Sequence, residues 1–241
     1  MGAAVPAYKR VLIKISGEAL AGDKRTGLDF DFISGVCLSV KKCLEQGVQV
    51  GVVIGGGNFW RGVKDGAGKV ERVSADRMGM LATAMNCLAV ADVFKQLGAQ
   101  ARVMTAMDIA GVGERYDTRR AIEYMEAGAV VLFACGTGCP FFSTDTAAAL
   151  RALEIGADAI LLAKNIDGVY SADPKTDPTA VRFDRISYAE VLARRLAVMD
   201  TTATSLAMDN SIPVIVFALA QPANIVRAAM GENIGTTVAV D

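Results

Sequence analysis

Short apolar runs rich in β-branched residues alternate along this chain with longer stretches of helical spacing. That alternation limits the fold more than any other feature. RVLIKIS (10–16), VQVGVVI (48–54), QARVMTAM (100–107), AVVLFAC (129–135), ADAILLAK (157–164), PVIVFAL (213–219) and GTTVAV (235–240) read as strands. Residues 30–47, 73–98, 118–128, 144–156, 187–195, 201–211 and 222–231 read as helices, with Gly47 and Gly98 suited to C-caps. Strand–helix–strand units join parallel strands by crossovers. The expected architecture is α/β, a three-layer sandwich around a mainly parallel central sheet. No linker, repeat or low-complexity segment divides the chain, so a single domain over residues 1–241 is expected. The one long irregular stretch is 166–183, with Pro174 and Pro178.

Composition supports those layers. Hydrophobic residues make up 52% of the chain and aromatics only 6%, so small and branched aliphatics fill the core. With 25 basic against 26 acidic residues the net charge is −1. Such a balance supplies no global field for nucleic acid or an anionic membrane, and an anionic substrate must be caught by local charges. Histidine is absent, which removes the commonest metal ligand and general base. Five scattered cysteines, Cys37, Cys43, Cys87, Cys135 and Cys139, suggest a reducing compartment rather than disulfides or zinc. The opening MGAAVPAYKR has no apolar core of signal-peptide length, and no stretch reads as a membrane span of about 20 apolar residues. A soluble, cytoplasmic protein is expected.

In open parallel sheets, ligands collect beyond the carboxyl ends of the strands. Four loops there carry chemistry. In KISGEAL (14–20), Lys14 interrupts an apolar strand; it either reaches an anion or snorkels from an edge strand. In VVIGGGNFWRG (52–62), Gly55, Gly56 and Gly57 let backbone N–H groups approach an anion, and Arg61 can neutralise phosphate oxygens. A glycine turn serving only chain reversal is the alternative. The spacing matches neither the dinucleotide fingerprint nor the P-loop. In CGTGCPFFSTDTAA (135–148), Ser143 or Thr144 can cap a helix, and Asp145 falls in its first turn, as a site carboxylate or as dipole compensation. In AKNIDGVYSADP (163–174), Lys164 ends a strand, Tyr170 can flank a flat ring, and Asp173 can accept from a ribose or simply start a turn. Together these loops assemble a kit for phosphoryl transfer: a glycine cradle, cations and carboxylates, with a metal ion bridging phosphates. A phosphate acceptor is already an anion and needs no general base, which agrees with the missing histidine.

These loops, in this order, resemble the amino acid kinase superfamily, and within it the bacterial UMP kinases. KISGEAL, VGVVIGGGNFWRG, ADRMGMLATAMN, GTGCPFFSTDTAA, IDGVYSADP and VMDTTA carry the resemblance, which runs from YKRVLIKISGEAL to MGENIGTTV. It implies an amino acid kinase-like fold that transfers a phosphoryl group from ATP, with Mg²⁺, to UMP, giving ADP and UDP in pyrimidine nucleotide biosynthesis. An acceptor-binding part over about 1–155 and an ATP-binding part over about 156–241 follow from it. Lys14, Arg61 and Asp145 would be catalytic. Lys14, Ile15, Ser16, Gly17, Gly57, Arg61, Lys164, Asn165, Tyr170 and Asp173 would hold ATP, either Lys164 or Asn165 making the contact at that strand end. Gly56, Asp76 and the segment Thr137, Gly138, Cys139, Pro140, Phe141, Phe142, Ser143 and Thr144 would hold UMP. Asp200 would support the site from behind, although a helix N-cap accounts for it equally. No protein metal site is implied; Mg²⁺ would arrive on the nucleotide phosphates. The family is similar to a homohexamer, a trimer of dimers, responding to GTP and UTP. Gly22, Asp23, Lys24, Arg25, Thr26 and Gly27, with Lys95 and Arg102, match segments tied to that response. Residues 78–90 match its subunit-contact helix or an ordinary core helix. Two other readings stay in view: a related kinase with a small carboxylate or phosphate acceptor, and a nucleotide-binding protein without turnover.

Overall fold

A computed structural model describes residues 5–61 and 68–240. The first four residues of the N-terminal stretch and Gly62 of the glycine loop lie outside it.

The central strands are β1 (Arg10–Ile15), β2 (Gln49–Ile54), β3 (Ala101–Thr105), β5 (Val130–Ala134), β6 (Ala159–Lys164) and β8 (Val214–Ala218). Short strands β4 (Glu114–Arg115), β7 (Arg185–Ser187) and β9 (Thr236–Ala239) complete a nine-stranded sheet in the order β4-β3-β5-β2-β1-β6-β8-β9-β7. All neighbours are parallel except β8 and β9. The helices are α1 (Gly17–Leu20), α2 (Phe30–Glu45), α3 (Arg72–Gln96), α4 (Thr118–Glu126), α5 (Thr144–Glu154), α6 (Tyr188–Ala193), α7 (Thr201–Asp209) and α8 (Asn224–Ala229).

Strand parity divides the core, because successive side chains on a strand point to opposite faces. Val11, Ile13 and Ile15 of β1 join Val50, Val52 and Ile54 of β2 under α2, α3 and α8. Leu12, Val53, Val131, Phe133, Ile160 and Leu162 join Ala147, Ala148 and Ala149 of α5 on the opposite face, where α4, α6 and α7 also pack. The result is the expected three-layer sandwich.

Each expected strand and helix is present, shortened by one or two residues at most ends. Not expected from the sequence were β4 and β7, of two and three residues, and the single turn of α1. They are too short to carry a periodic pattern and exist because longer elements flank them. The irregular 166–183 stretch is held by one antiparallel bridge between Tyr170 and Arg182. One expectation needs correction: α3 has 25 residues and is long and apolar enough, by length and composition, to cross a membrane. Half of its apolar window is buried within this fold, and Ala75, Met80, Ala84, Cys87, Val90 and Phe94 pack as core.

Candidate active site

The four loops follow β1, β2, β5 and β6, and those strands are four consecutive neighbours, β5-β2-β1-β6. Being parallel, they release their loops at the same edge of the sheet. Strand parity then selects the face. Lys14 lies two residues beyond Leu12, and Lys164 two beyond Leu162, which pairs with Lys14. Both lysines therefore lean toward the α5 face. Asp145, in the first turn of α5, meets them there.

Lys14 is buried, and its Nζ lies 2.5 Å from Asp145 Oδ1. The contact is charge to charge, and no donor makes a directed hydrogen bond to that buried oxygen among the described residues. Lys164 donates to the carbonyls of Val198 and Ala197, the latter at 3.3 Å. Burial pushes its pKa below the usual 10.5; Asp145 raises it and Lys14 lowers it further. Lys164 is thus part of the same charge cluster. Arg61 pairs with Glu18 at 2.8 Å and donates to the Gly57 carbonyl at 3.3 Å. Glu18 carried no signal as an arginine partner in the sequence.

Two clefts meet at this edge. A cavity of about 790 Å³ is lined by Lys14, Ser16, Glu18, Lys164, Asn165, Tyr170, Asp173 and Lys175, among others. Here Ser16 also caps α1, Asp173 accepts from Lys175 N at 2.9 Å, and the Tyr170 hydroxyl donates to Asp167. A narrower cavity of about 140 Å³ is lined by Gly56, Trp60, Asp76, Thr83, Thr137, Phe142, Ser143 and Thr144, among others. Asp76 accepts from Phe141 N at 2.8 Å and from Arg72 Nε at 2.8 Å, which ties α3 to the loop after β5. That loop turns sharply, with Cys135, Gly136, Gly138 and Phe141 all at positive φ. Thr83 steadies the turn by accepting from Cys135 N.

Some expected residues play other parts. Ile15 is 2% exposed and packs in the core, so only its backbone can face a ligand. Gly17 is outside the larger cavity; a Cβ there would sit 2.3 Å from the Gly55 carbonyl oxygen. Gly56 does border the small cavity, but a Cβ on it would meet the Gly79 carbonyl of α3 at 2.7 Å. Its bareness is therefore required by helix packing as well as by any phosphate. Gly57 faces Glu18. Gly138 is pressed against Ala106, and Cys139 is exposed, its N–H donating to Thr137 Oγ1. Gly138, Cys139, Pro140 and Phe141 do not line the small cavity. Ser143, rather than Thr144, caps α5, accepting from Asp145 N and Thr146 N. Asp200 is the N-cap of α7 and also accepts from the Ser143 and Thr146 hydroxyls at the head of α5. Of residues 22–27, Gly27 bonds Asn58, its N–H donating to the Asn58 carbonyl, whereas Lys95 and Arg102 line a separate groove of about 500 Å³.

The amino acid kinase family model matches residues 9–218. The chain belongs to the amino acid kinase family. It is an ATP-dependent phosphotransferase, as the family and its structural relatives are. This kinase is similar to the UMP kinase from Bacillus anthracis, with a TM-score of 0.93 and 36% identity over 97% of each chain. It is similar to the UMP kinase from Ureaplasma parvum, with a TM-score of 0.91 and 35% identity over 96% of this chain and 98% of that one. The uridylate kinase from Archaeoglobus fulgidus gives 0.74 and 30% identity over 95% of this chain and 99% of that one.

Proposed function

We propose that this kinase transfers the terminal phosphoryl group of ATP to UMP, yielding ADP and UDP. The observation that carries the reading is the Lys14–Asp145 ion pair at the edge where two clefts of unequal size open. The larger cleft, on the β1 and β6 loops, suits ATP; the smaller, on the β2 and β5 loops, suits UMP. The approximate division into an acceptor part over 1–155 and an ATP part over 156–241 rests on the same assignment.

Two polyanions must meet head to head, so transfer needs cations at the junction. Lys14 would hold the phosphoryl group in flight, its ammonium aimed by Asp145. Arg61 would leave Glu18 for phosphate oxygens, where a guanidinium makes paired hydrogen bonds. Gly56 and Gly57 would offer backbone to the phosphates. Asp76 would accept from the ribose hydroxyls of UMP, and the 137–144 segment would surround the base. Lys164 or Asn165, with Tyr170 and Asp173, would hold the nucleotide end of ATP.

ATP-dependent phosphoryl transfer generally uses Mg²⁺. Among the described residues no group of three or more potential ligands could hold a metal by itself. The residues fit an ion carried by phosphates, because Asp145 Oδ1 is a buried carboxylate oxygen without a directed hydrogen bond. Asp145 is the residue that would reach it. When bound, Mg²⁺ offsets the negative charge of the phosphates.

Assembly and control belong to the same proposal. Met78, Leu81, Met85 and Leu88 form an exposed apolar stripe along α3, which suits contact with a second copy in a hexamer built from dimers. Lys95 and Arg102 supply cations for GTP or UTP as effectors, with the 22–27 segment as a second contact. A cytoplasmic role in pyrimidine nucleotide synthesis accompanies this reading.

The test is ADP release with ATP and Mg²⁺, offering UMP, CMP, AMP or no acceptor in parallel. Turnover restricted to UMP is expected. Equal turnover with another acceptor, or none with any from a folded sample, overturns the assignment.

A further inference from the structure

We propose that Asn86, seated by Asn58, is a positioning residue that orients the Gly55–Gly56 peptide toward the acceptor phosphate. The inference rests on the proposed reaction. Asn86 lies mid-helix in α3, fully buried among apolar neighbours, and Asn58 is 2% exposed. Their amides face each other: Asn58 Nδ2 donates to Asn86 Oδ1 at 2.9 Å, and Asn86 Nδ2 donates to Asn58 Oδ1 at 2.8 Å. Each amide spends its second N–H on a backbone carbonyl. Asn86 donates to Gly55 O at 2.7 Å and Asn58 to Gly27 O at 2.8 Å. Both carbonyls accept only, so neither amide can be flipped without losing these bonds.

The Gly55 carbonyl is the first after β2 ends, and Gly56 borders the small cavity. A trans peptide is planar, with its C=O and N–H on opposite sides. Pulling Gly55 O toward Asn86 therefore turns the Gly56 N–H away from it. A second observation agrees: the space beyond that carbonyl is reserved for it, since a Cβ on Gly17 would lie 2.3 Å from Gly55 O and 2.6 Å from Asn58 Oδ1. Ordinary helix–sheet packing needs no polar group at position 86, and Leu or Ala would fill it at less desolvation cost. A four-bond clasp closing on the phosphate loop is what the two asparagines add.

The experiment compares wild type with Asn86→Ala, Asn58→Ala and the double variant, all checked for folding by circular dichroism. Turnover, KM for UMP and inhibition by uridine are measured for each. Uridine has no phosphate and reports the base and ribose contacts alone. The expected result is a fall in kcat of about 10- to 100-fold and a raised KM for UMP, with the uridine inhibition constant unchanged. The double variant should be no worse than Asn86→Ala, since one clasp is lost. Unchanged kinetics, parallel losses for UMP and uridine, or additive losses would each overturn the proposal. If Asn86→Ala does not fold, Asn58→Ser, which keeps the backbone bond to Gly27, carries the same UMP-against-uridine comparison. Wild-type turnover run alongside separates the two ideas: a wild type inactive on UMP removes the proposed function, and the clasp's role with it. An active wild type with indifferent variants removes the clasp alone.

Discussion

Lys14 Nζ and Asp145 Oδ1 lie 2.5 Å apart, joining the end of β1 to the first turn of α5. Neither element places the pair alone. The lysine faces α5 through strand parity, and the aspartate follows an N-cap at Ser143 that starts the helix one residue earlier. Replacing Lys14 with Ala should lower kcat by about 10²- to 10³-fold, the usual cost of removing a preorganised charge-stabilising donor. Steady-state turnover of a folded sample decides this, and near-wild-type activity counts against the assignment.

Asp76 joins the loop after β5 to α3 through Phe141 N and sits in the small cavity beside Gly79 and Met80. Asp76→Asn keeps the shape and drops the charge. The KM for UMP should rise about tenfold, the loss expected of one charge-assisted hydrogen bond, while the KM for ATP stays as it was. A change confined to ATP would put this carboxylate on the wrong nucleotide.

Asp200 caps α7 through Ala203 N and binds Ser143 and Thr146 at the head of α5. Asp200→Ala should destabilise the protein by about 1–3 kcal/mol, one cap plus its hydrogen bonds. Urea unfolding gives the figure directly. A loss of turnover without any loss of stability would instead make its role chemical.

The pKa of Lys164 lies below 10.5 because its ammonium is buried. The unfolded chain then binds more protons than the folded one between the lowered value and 10.5, so folding stability rises with pH across that window. Below the window the full cost of the buried charge persists. In Lys164→Met this dependence is missing. The Tm of wild type should gain on that of the variant as pH climbs through the alkaline range, and a constant gap would show that the ammonium is well solvated.

Cys37 and Cys43 are buried, which pushes both thiols up to about 12, and burial raises Cys87 and Cys135 as well. Cys139 is the exposed cysteine. A thiol reagent at neutral pH should modify one cysteine per chain quickly, and mass spectrometry should locate it at 139. Because Thr137 and Phe142 on either side line the small cavity, saturating UMP should slow that reaction. Indifference to UMP would move the acceptor elsewhere.

Much of this molecule is legible in its sequence for a definite reason. A strand such as VLIKI or VVLFA is buried on both faces, so its composition alone betrays it. A capped helix such as the one opening at Ser143 announces its own start. Lys14 was legible because a charge inside an apolar strand demands an explanation. The short β4 and β7 were not, since two or three residues hold no period, and they pair only because the neighbouring strand is already in place. Asn58 and Asn86 escaped notice because a lone amide in a loop or a helix has no local meaning.

Alternation of strand and helix patterns, the glycine loops and the residue types at four strand ends were determined by the sequence itself, because each depends on neighbours a few positions away. The tertiary structure decided which strands lie side by side, and so which loops share one edge. It also decided that Lys14, Asp145 and Lys164 form one charge cluster, that Gly56 is bare partly for α3, and that Asn86 reaches Gly55. Those contacts join residues from 19 to 150 positions apart, and such distances close only when the two faces of the sheet are packed.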